Sequence, residues 1–124
     1  MLAGSWIELS ESALRANVRF LRRMMGPDVT VCSVVKGNAY GHGIEAFVPM
    51  AERCGIRQFA AFSAAEASRV VGSRTKPSEI MIMGDLPDEA IPWAVEQEIS
   101  FYVFDLERLD RALTAAAEFR ETLG

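Results

Sequence analysis

The segment Val29-Thr30-Val31-Cys32-Ser33-Val34-Val35 is apolar or β-branched at nearly every position. Such a run reads as a strand buried on both faces, and strands of that kind belong to parallel sheets covered by helices. Parallel pairing demands a long crossover between strands, usually a helix. Further strands are predicted at Arg57–Phe62, Ile80–Met83 and Ile99–Phe104, with helical segments filling the intervals. A helix precedes the first strand: Ser10 is its N-cap, Leu14, Val18, Leu21 and Met25 recur at helical spacing, and Gly26-Pro27 stops it. Gly43–Cys54 reads as the next helix, with Pro49 delaying or kinking it. Ser63-Ala64-Ala65-Glu66 is a capping box opening a helix to about Val71. A short helix over Glu89–Gln97 is expected to be irregular around Pro92, and Asp105 caps a last helix with Leu106, Leu109, Leu113 and Ala116 on one face. Serial βα units imply right-handed crossovers, and periodicity alone leaves two closures open, a doubly wound sheet or a (β/α) barrel.

Length and charge narrow the function. The chain has 124 residues, one domain by size and too short for a complete eight-stranded barrel. Thirteen basic against seventeen acidic residues give a net charge of −4 without basic runs, which argues against nucleic acid or an anionic membrane as partner. Cys32 and Cys54 lie among apolar neighbours, the setting of reduced thiols. No stretch has the length of a membrane span, and Met1-Leu2-Ala3-Gly4-Ser5-Trp6 lacks the pattern of a signal peptide, so a cytoplasmic location is expected.

The chemistry concentrates in Val34-Val35-Lys36-Gly37-Asn38-Ala39-Tyr40-Gly41-His42-Gly43. A lysine ends an apolar strand, and the C-terminal ends of parallel strands are where active sites form. Desolvation at such a position disfavours the ammonium and favours a nucleophilic amine, the requirement for Schiff-base chemistry with an aldehyde cofactor. The glycines let the backbone approach a ligand and free amides near the next helix N-terminus for an anion such as phosphate. Each residue also has a plainer reading: a strand-end lysine commonly marks where the chain meets solvent, Tyr40 can be a packing residue and His42 a turn residue. Two cysteines and one histidine at these spacings make no metal site.

As a string, this segment resembles the pyridoxal-phosphate attachment motif of the alanine racemases, V-V-K-A-(N/D)-A-Y-G-H-G. Nine of ten positions fit, with Gly37 where alanine is common. Trp6-Ile7-Glu8-Leu9 and the following helix with Asn17, Phe59 to Ala67, and Ile80-Met81-Ile82-Met83-Gly84 resemble the family's opening, second unit and third strand. The resemblance implies that residues 1–124 are the N-terminal portion of a barrel domain, about the first half of a TIM (β/α)8 barrel, and a piece or a shortened relative of a longer protein. It implies a PLP-dependent amino-acid racemase. Lys36 holds pyridoxal 5′-phosphate as an internal aldimine and, once freed, serves as one of two bases in α-proton transfer. Tyr40 donates its hydroxyl to the cofactor phosphate, Asn38 supports the site, and His42 and Gly43 belong to the cofactor-binding turn. The second base, a tyrosine from a C-terminal β-domain of the partner subunit in a homodimer, lies outside these residues, and the isolated chain is expected to turn over poorly. Two alternatives share the fold: a PLP carrier or homeostasis protein without racemase activity, and another PLP barrel enzyme such as a decarboxylase.

Overall fold

The computed structural model describes residues 4–124, so the reading of the N-terminal stretch as no signal peptide rests in part on residues outside the description. Helix α1 spans Glu11–Met25, and Ser10 caps it by accepting the Ala13 amide at 3.2 Å. Strand β1 is Cys32–Val34, followed by a five-residue helical turn α2 (Lys36–Tyr40) and helix α3 (Ile44–Arg53). Strand β2 (Gln58–Ala61), helix α4 (Ala64–Ser73), strand β3 (Glu79–Ile82), a 3-10 turn (Asp88–Ala90) with helix α5 (Ile91–Glu96), strand β4 (Ser100–Phe101) and helix α6 (Leu106–Thr122) complete the order. The expected irregularity near Pro92 is this 3-10 turn, with the proline tolerated in the first turn of α5. Pro49, by contrast, lies inside α3 without delaying its start.

The four strands pair in parallel in the order β1-β2-β3-β4. Sequential order without a reversal, combined with right-handed crossovers, puts every connecting helix on one side of the sheet, the arrangement of a barrel wall and not of a doubly wound sheet. The register aligns Ser33 with Phe59 and Phe59 with Ile80, then Val34 with Ala60 and Ala60 with Met81. The first row faces the helices: Val35, Phe59, Ala61, Ile80 and Ile82 are buried, together with Val48, Ala67 and Val70 from the helices. Each large side chain buried there contributes about 1.5–3 kcal/mol. The second row forms the opposite face, where Val34, Phe62 and Tyr102 are exposed.

That asymmetry corrects three expectations. The first strand is not buried on both faces: it shrinks to three residues, and Val29 and Val34 are exposed, because β1 is an edge strand with one face uncovered. The fourth strand ends at Phe101, and Tyr102, Val103 and Phe104 are exposed beyond it. Helix α6 does not pack through its leucines. Leu106, Leu109 and Leu113 are exposed, and the helix meets α5 through Ala112 and Ala115 instead. Small side chains let the two helices approach closely, and helical period alone does not say which of two apolar stripes is covered.

Glu52 is a buried carboxylate that the strand and helix pattern did not single out. From α3 it accepts the Thr75 amide at 2.6 Å and the Thr75 hydroxyl at 3.1 Å on Oε1, and the Lys76 amide at 3.0 Å and the Ser78 hydroxyl at 2.6 Å on Oε2. It thereby pins the loop that leads into β3. Both cysteines are free thiols, and burial pushes the Cys32 thiol up. No helix among the described residues is long and apolar enough to cross a membrane.

Candidate active site

Lys36 opens α2, two residues beyond the end of β1. Val35 is fully buried toward the helices, whereas Val34 and Lys36 are exposed at the C-terminal end of β1. The Val35 amide donates to the Ala60 carbonyl at 2.8 Å and carries the pairing to the last residue before the lysine. Lys36 is exposed, and its side-chain amine forms no hydrogen bond or ion pair with another described residue. The expected desolvation is therefore not present: four strands leave that face open to solvent.

The turn after Lys36 is left-handed. Gly37, Asn38 and Ala39 have φ of 61°, 56° and 56° with ψ of 41°, 47° and 46°, and Tyr40 has φ of 54°. Gly37 takes this conformation freely, but each of the other three costs about 1–2 kcal/mol by the clash of Cβ with the following carbonyl. The turn closes on itself. The Ala39 amide donates to Val35 O at 2.8 Å, Gly41 to Gly37 O at 3.0 Å, His42 to Ala39 O at 3.0 Å and Gly43 to Asn38 O at 2.9 Å. Asn38 Oδ1 accepts the Ile44 amide at 3.1 Å and so supplies the missing side-chain cap of α3.

These bonds narrow one expectation. The amides of Gly41, His42, Gly43 and Ile44 are all engaged within the segment, so they are not free for an anion. The physical reason is the left-handed turn itself, which folds its carbonyls back onto the following amides. Of the two phosphate-binding devices expected, the Tyr40 hydroxyl remains: Tyr40 is 62% exposed and its hydroxyl has no partner among the described residues.

His42 stands apart from Lys36. It meets Phe47 edge-on at 6.5 Å between ring centroids and lines a cavity of about 250 Å³ with Glu8, Asn17 and Phe47, a cavity to which Lys36 does not contribute. Gly43 has φ of 91° at the N-cap of α3, where a side chain would be strained. Asn38 spends its carbonyl oxygen on the Ile44 amide and on Arg69 Nη2 at 2.6 Å, which makes it a brace of the turn. Cys32 and Met83 are partly exposed and Phe104 largely so.

Two residues of α4, Glu66 and Arg69, reach across to the Lys36 turn. Glu66 was placed in a capping box, and half of that box forms: its amide donates to Ser63 Oγ at 3.2 Å. Its carboxylate does not return to the Ser63 amide. Oε2 accepts the Phe62 amide at 3.0 Å, and Oε1 accepts the amides of Gly37 at 2.8 Å and Asn38 at 3.3 Å, across in the neighbouring loop. Arg69, one turn on, holds Glu45 with Nε–Oε1 and Nη2–Oε2 both at 2.7 Å. Its guanidinium brings the Glu45 carboxyl down to about 2. The i, i+3 spacing of Glu66 and Arg69 puts both on one helix face, but only the β1–β2 pairing could reveal what that face meets.

The residues present fit pyridoxal phosphate in kind. An amine without a partner suits its aldehyde, a phenol without a partner suits its phosphate, and Gly41 has nothing within 4 Å of where a Cβ would stand.

Comparison with known proteins agrees. Residues 9–123 match the family described as alanine racemase, N-terminal domain. The alanine racemase of Desulforamulus reducens is 30% identical over 115 residues, covering 93% of this chain and 30% of that protein. That of Desulfovibrio desulfuricans is 34% identical over 117 residues, covering 90% and 30%. The crystal structure of alanine racemase from Oenococcus oeni superposes with a TM-score of 0.78 at 27% identity, over 89% of this chain and 31% of that one. The Bartonella henselae enzyme, solved with covalently bound pyridoxal phosphate, superposes with a TM-score of 0.75 at 25% identity, over 89% and 30%. The chain thus spans about 30% of the length of these relatives. The barrel-type βα order, the lysine at the end of β1 and the match over residues 9–123 agree, and the chain belongs to the alanine racemase N-terminal domain family.

Proposed function

We propose that residues 1–124 form the lysine-bearing portion of a pyridoxal-phosphate-dependent amino-acid racemase. One observation carries the reading: the Lys36 amine and the Tyr40 hydroxyl, the two groups suited to the aldehyde and the phosphate, both lack a partner among the described residues and lie within a single five-residue turn at the C-terminal end of β1. When bound, the cofactor supplies an electron sink for the pair left behind as an α-proton departs. Lys36 Nζ holds the group and moves a proton on one face of the α-carbon. Tyr40 donates a hydrogen bond to the phosphate. Asn38, His42 and Gly43 shape the turn that presents these two. Inversion also needs a base on the other face, and the family resemblance assigns it to a tyrosine of a partner subunit, which makes a homodimer part of the proposal; the substrate is an amino acid.

Borohydride reduction tests the assignment. Lys36 and Lys76 are the two lysines of the chain, so Lys76 is an internal control. Pyridoxal phosphate followed by borohydride should leave a pyridoxyl mass on the peptide containing Lys36, little on that containing Lys76, and none at position 36 in Lys36→Ala. Equal labelling of the two lysines in the folded chain would refute the reading.

A further inference from the structure

We propose that Glu66 and Arg69 of α4 are positioning residues that hold the Lys36 turn in its left-handed form and so aim the Lys36 amine; the inference rests on Lys36 being the cofactor lysine. The turn needs outside support, because Asn38, Ala39 and Tyr40 all sit at positive φ, a region that residues with a Cβ adopt rarely. Its first amides also have no earlier helical carbonyl to reach, as at any helix start. The structure answers both needs from a helix about thirty residues further on. Glu66 Oε1 takes the Gly37 amide at 2.8 Å and the Asn38 amide at 3.3 Å, and Arg69 Nη2 grips Asn38 Oδ1 at 2.6 Å.

The same carboxylate binds the Phe62 amide at 3.0 Å. Phe62 lies two residues beyond Ala60, as Lys36 lies two beyond Val34, and Val34 and Ala60 are register partners. Glu66 therefore ties the loop after β2, at the position that matches Lys36, to the loop after β1, one and two residues beyond Lys36. One carboxylate fixes the amide that immediately follows Lys36 relative to the neighbouring strand. A residue serving only its own helix would have turned back to Ser63, and Glu66 does not. The ion pair between Arg69 and Glu45 in turn fixes the guanidinium that grips Asn38.

The test uses the whole chain in four forms: parent, Glu66→Ala, Glu66→Gln and Arg69→Met, with Ser68→Ala on the exposed side of α4 as control. Two quantities are read: hydrogen exchange at Gly37, Asn38 and Phe62, and the rate of borohydride-trapped pyridoxal phosphate attachment at Lys36 relative to Lys76. Glu66→Ala should lose protection at the three amides and attach tenfold or more slowly at Lys36, with Lys76 unchanged. Glu66→Gln keeps one acceptor oxygen and should fall between, which preserves the test if the alanine variant does not fold. Arg69→Met should slow attachment at Lys36 without exposing the Phe62 amide. Attachment at Lys36 within twofold of the parent in folded Glu66 variants overturns the positioning role, as does unchanged amide protection. A parent that does not attach at Lys36 overturns the cofactor reading itself, and the inference with it.

Discussion

Replacing Glu52 by glutamine should cost the fold a large share of its stability while leaving the chemistry at Lys36 alone. The carboxylate is 1% exposed and accepts four hydrogen bonds, two on each oxygen. Glutamine keeps one acceptor oxygen. Whichever way the amide is turned, its NH2 faces a backbone N–H and a hydroxyl, so that buried backbone donor loses its partner, and of the two new N–H groups only one meets an acceptor, the hydroxyl oxygen. An orphaned buried donor costs about 1–3 kcal/mol, and bonds to a charged acceptor are worth more than neutral ones. The expected loss is therefore about 2–4 kcal/mol, from a total of about 5–15 kcal/mol for a domain of this kind. Urea unfolding followed by circular dichroism reads it as a midpoint lowered by about 1–2 M at an ordinary slope.

The pH dependence of that loss is a second check. Burial pushes the Glu52 carboxyl up, but the bonds from Ser78, Thr75 and Lys76 outweigh it and leave the group below its ordinary value. The folded state thus binds this proton less readily than the unfolded state. The stabilisation is complete above the unfolded value of about 4.3 and is lost as pH falls through the lower folded value. The gap between parent and Glu52→Gln should be constant near neutrality and close below about pH 4. Glu52 braces the loop entering β3, at the N-terminal end of the sheet, whereas Lys36 stands at the C-terminal end. Attachment of pyridoxal phosphate at Lys36 should be unaffected in the folded variant. A midpoint within 0.3 M of the parent, about 0.5 kcal/mol at an ordinary slope, would refute the reasoning.

Two glycines should respond unequally to alanine. At Gly84 a Cβ would meet the Phe62 carbonyl oxygen at 2.4 Å and the Phe62 ring at 3.0 Å, and backbone cannot yield cheaply; Gly84→Ala should lose about 1–3 kcal/mol, and an unchanged thermal midpoint would contradict the close approach. At Gly37 nothing lies within 4 Å of a Cβ, though φ is +61°. The left-handed penalty of about 1–2 kcal/mol is partly offset by about 0.4–1 kcal/mol of lost unfolded-chain entropy, so Gly37→Ala should melt within a few degrees of the parent and attach pyridoxal phosphate at Lys36 at the same rate.

The four strands, their order of appearance and the caps Ser10, Ser63 and Asp105 were legible because each follows from local chemistry: β-branched runs, and hydroxyl or carboxylate side chains ahead of helices. The ten-residue segment around Lys36 was legible as a site for the same reason. What escaped is non-local. The leucines of α6 have helical period, but the choice between them and Ala112/Ala115 is made by α5. The handedness of the turn was hidden because Asn38, Ala39 and Tyr40 carry no glycine signal; only tertiary bonds hold them at positive φ. Glu66 was hidden by a pattern that explained it too well: a capping box accounts for a glutamate at that position, and nothing local says that its carboxylate leaves the helix.

Four of the amides expected to be free are engaged for a reason that bears on how the segment works. A glycine-rich stretch ahead of a helix has two uses for its N–H groups: donate them to a ligand, or donate them to its own carbonyls and hold a shape. Here the second use wins at Gly41, His42, Gly43 and Ile44. A turn with three non-glycine residues at positive φ carries a strain of about 3–6 kcal/mol, and it persists only if its polar groups are nearly all satisfied within the protein. Spending amides on a ligand would leave that strain unopposed whenever the ligand departs. The turn therefore delivers side chains instead of amides: Lys36 at its start presents an amine and Tyr40 at its end a hydroxyl, each without a partner among the described residues. In that light Glu66 and Arg69 are the other half of the device, since a strained turn aims a lysine only as firmly as its neighbours clamp it.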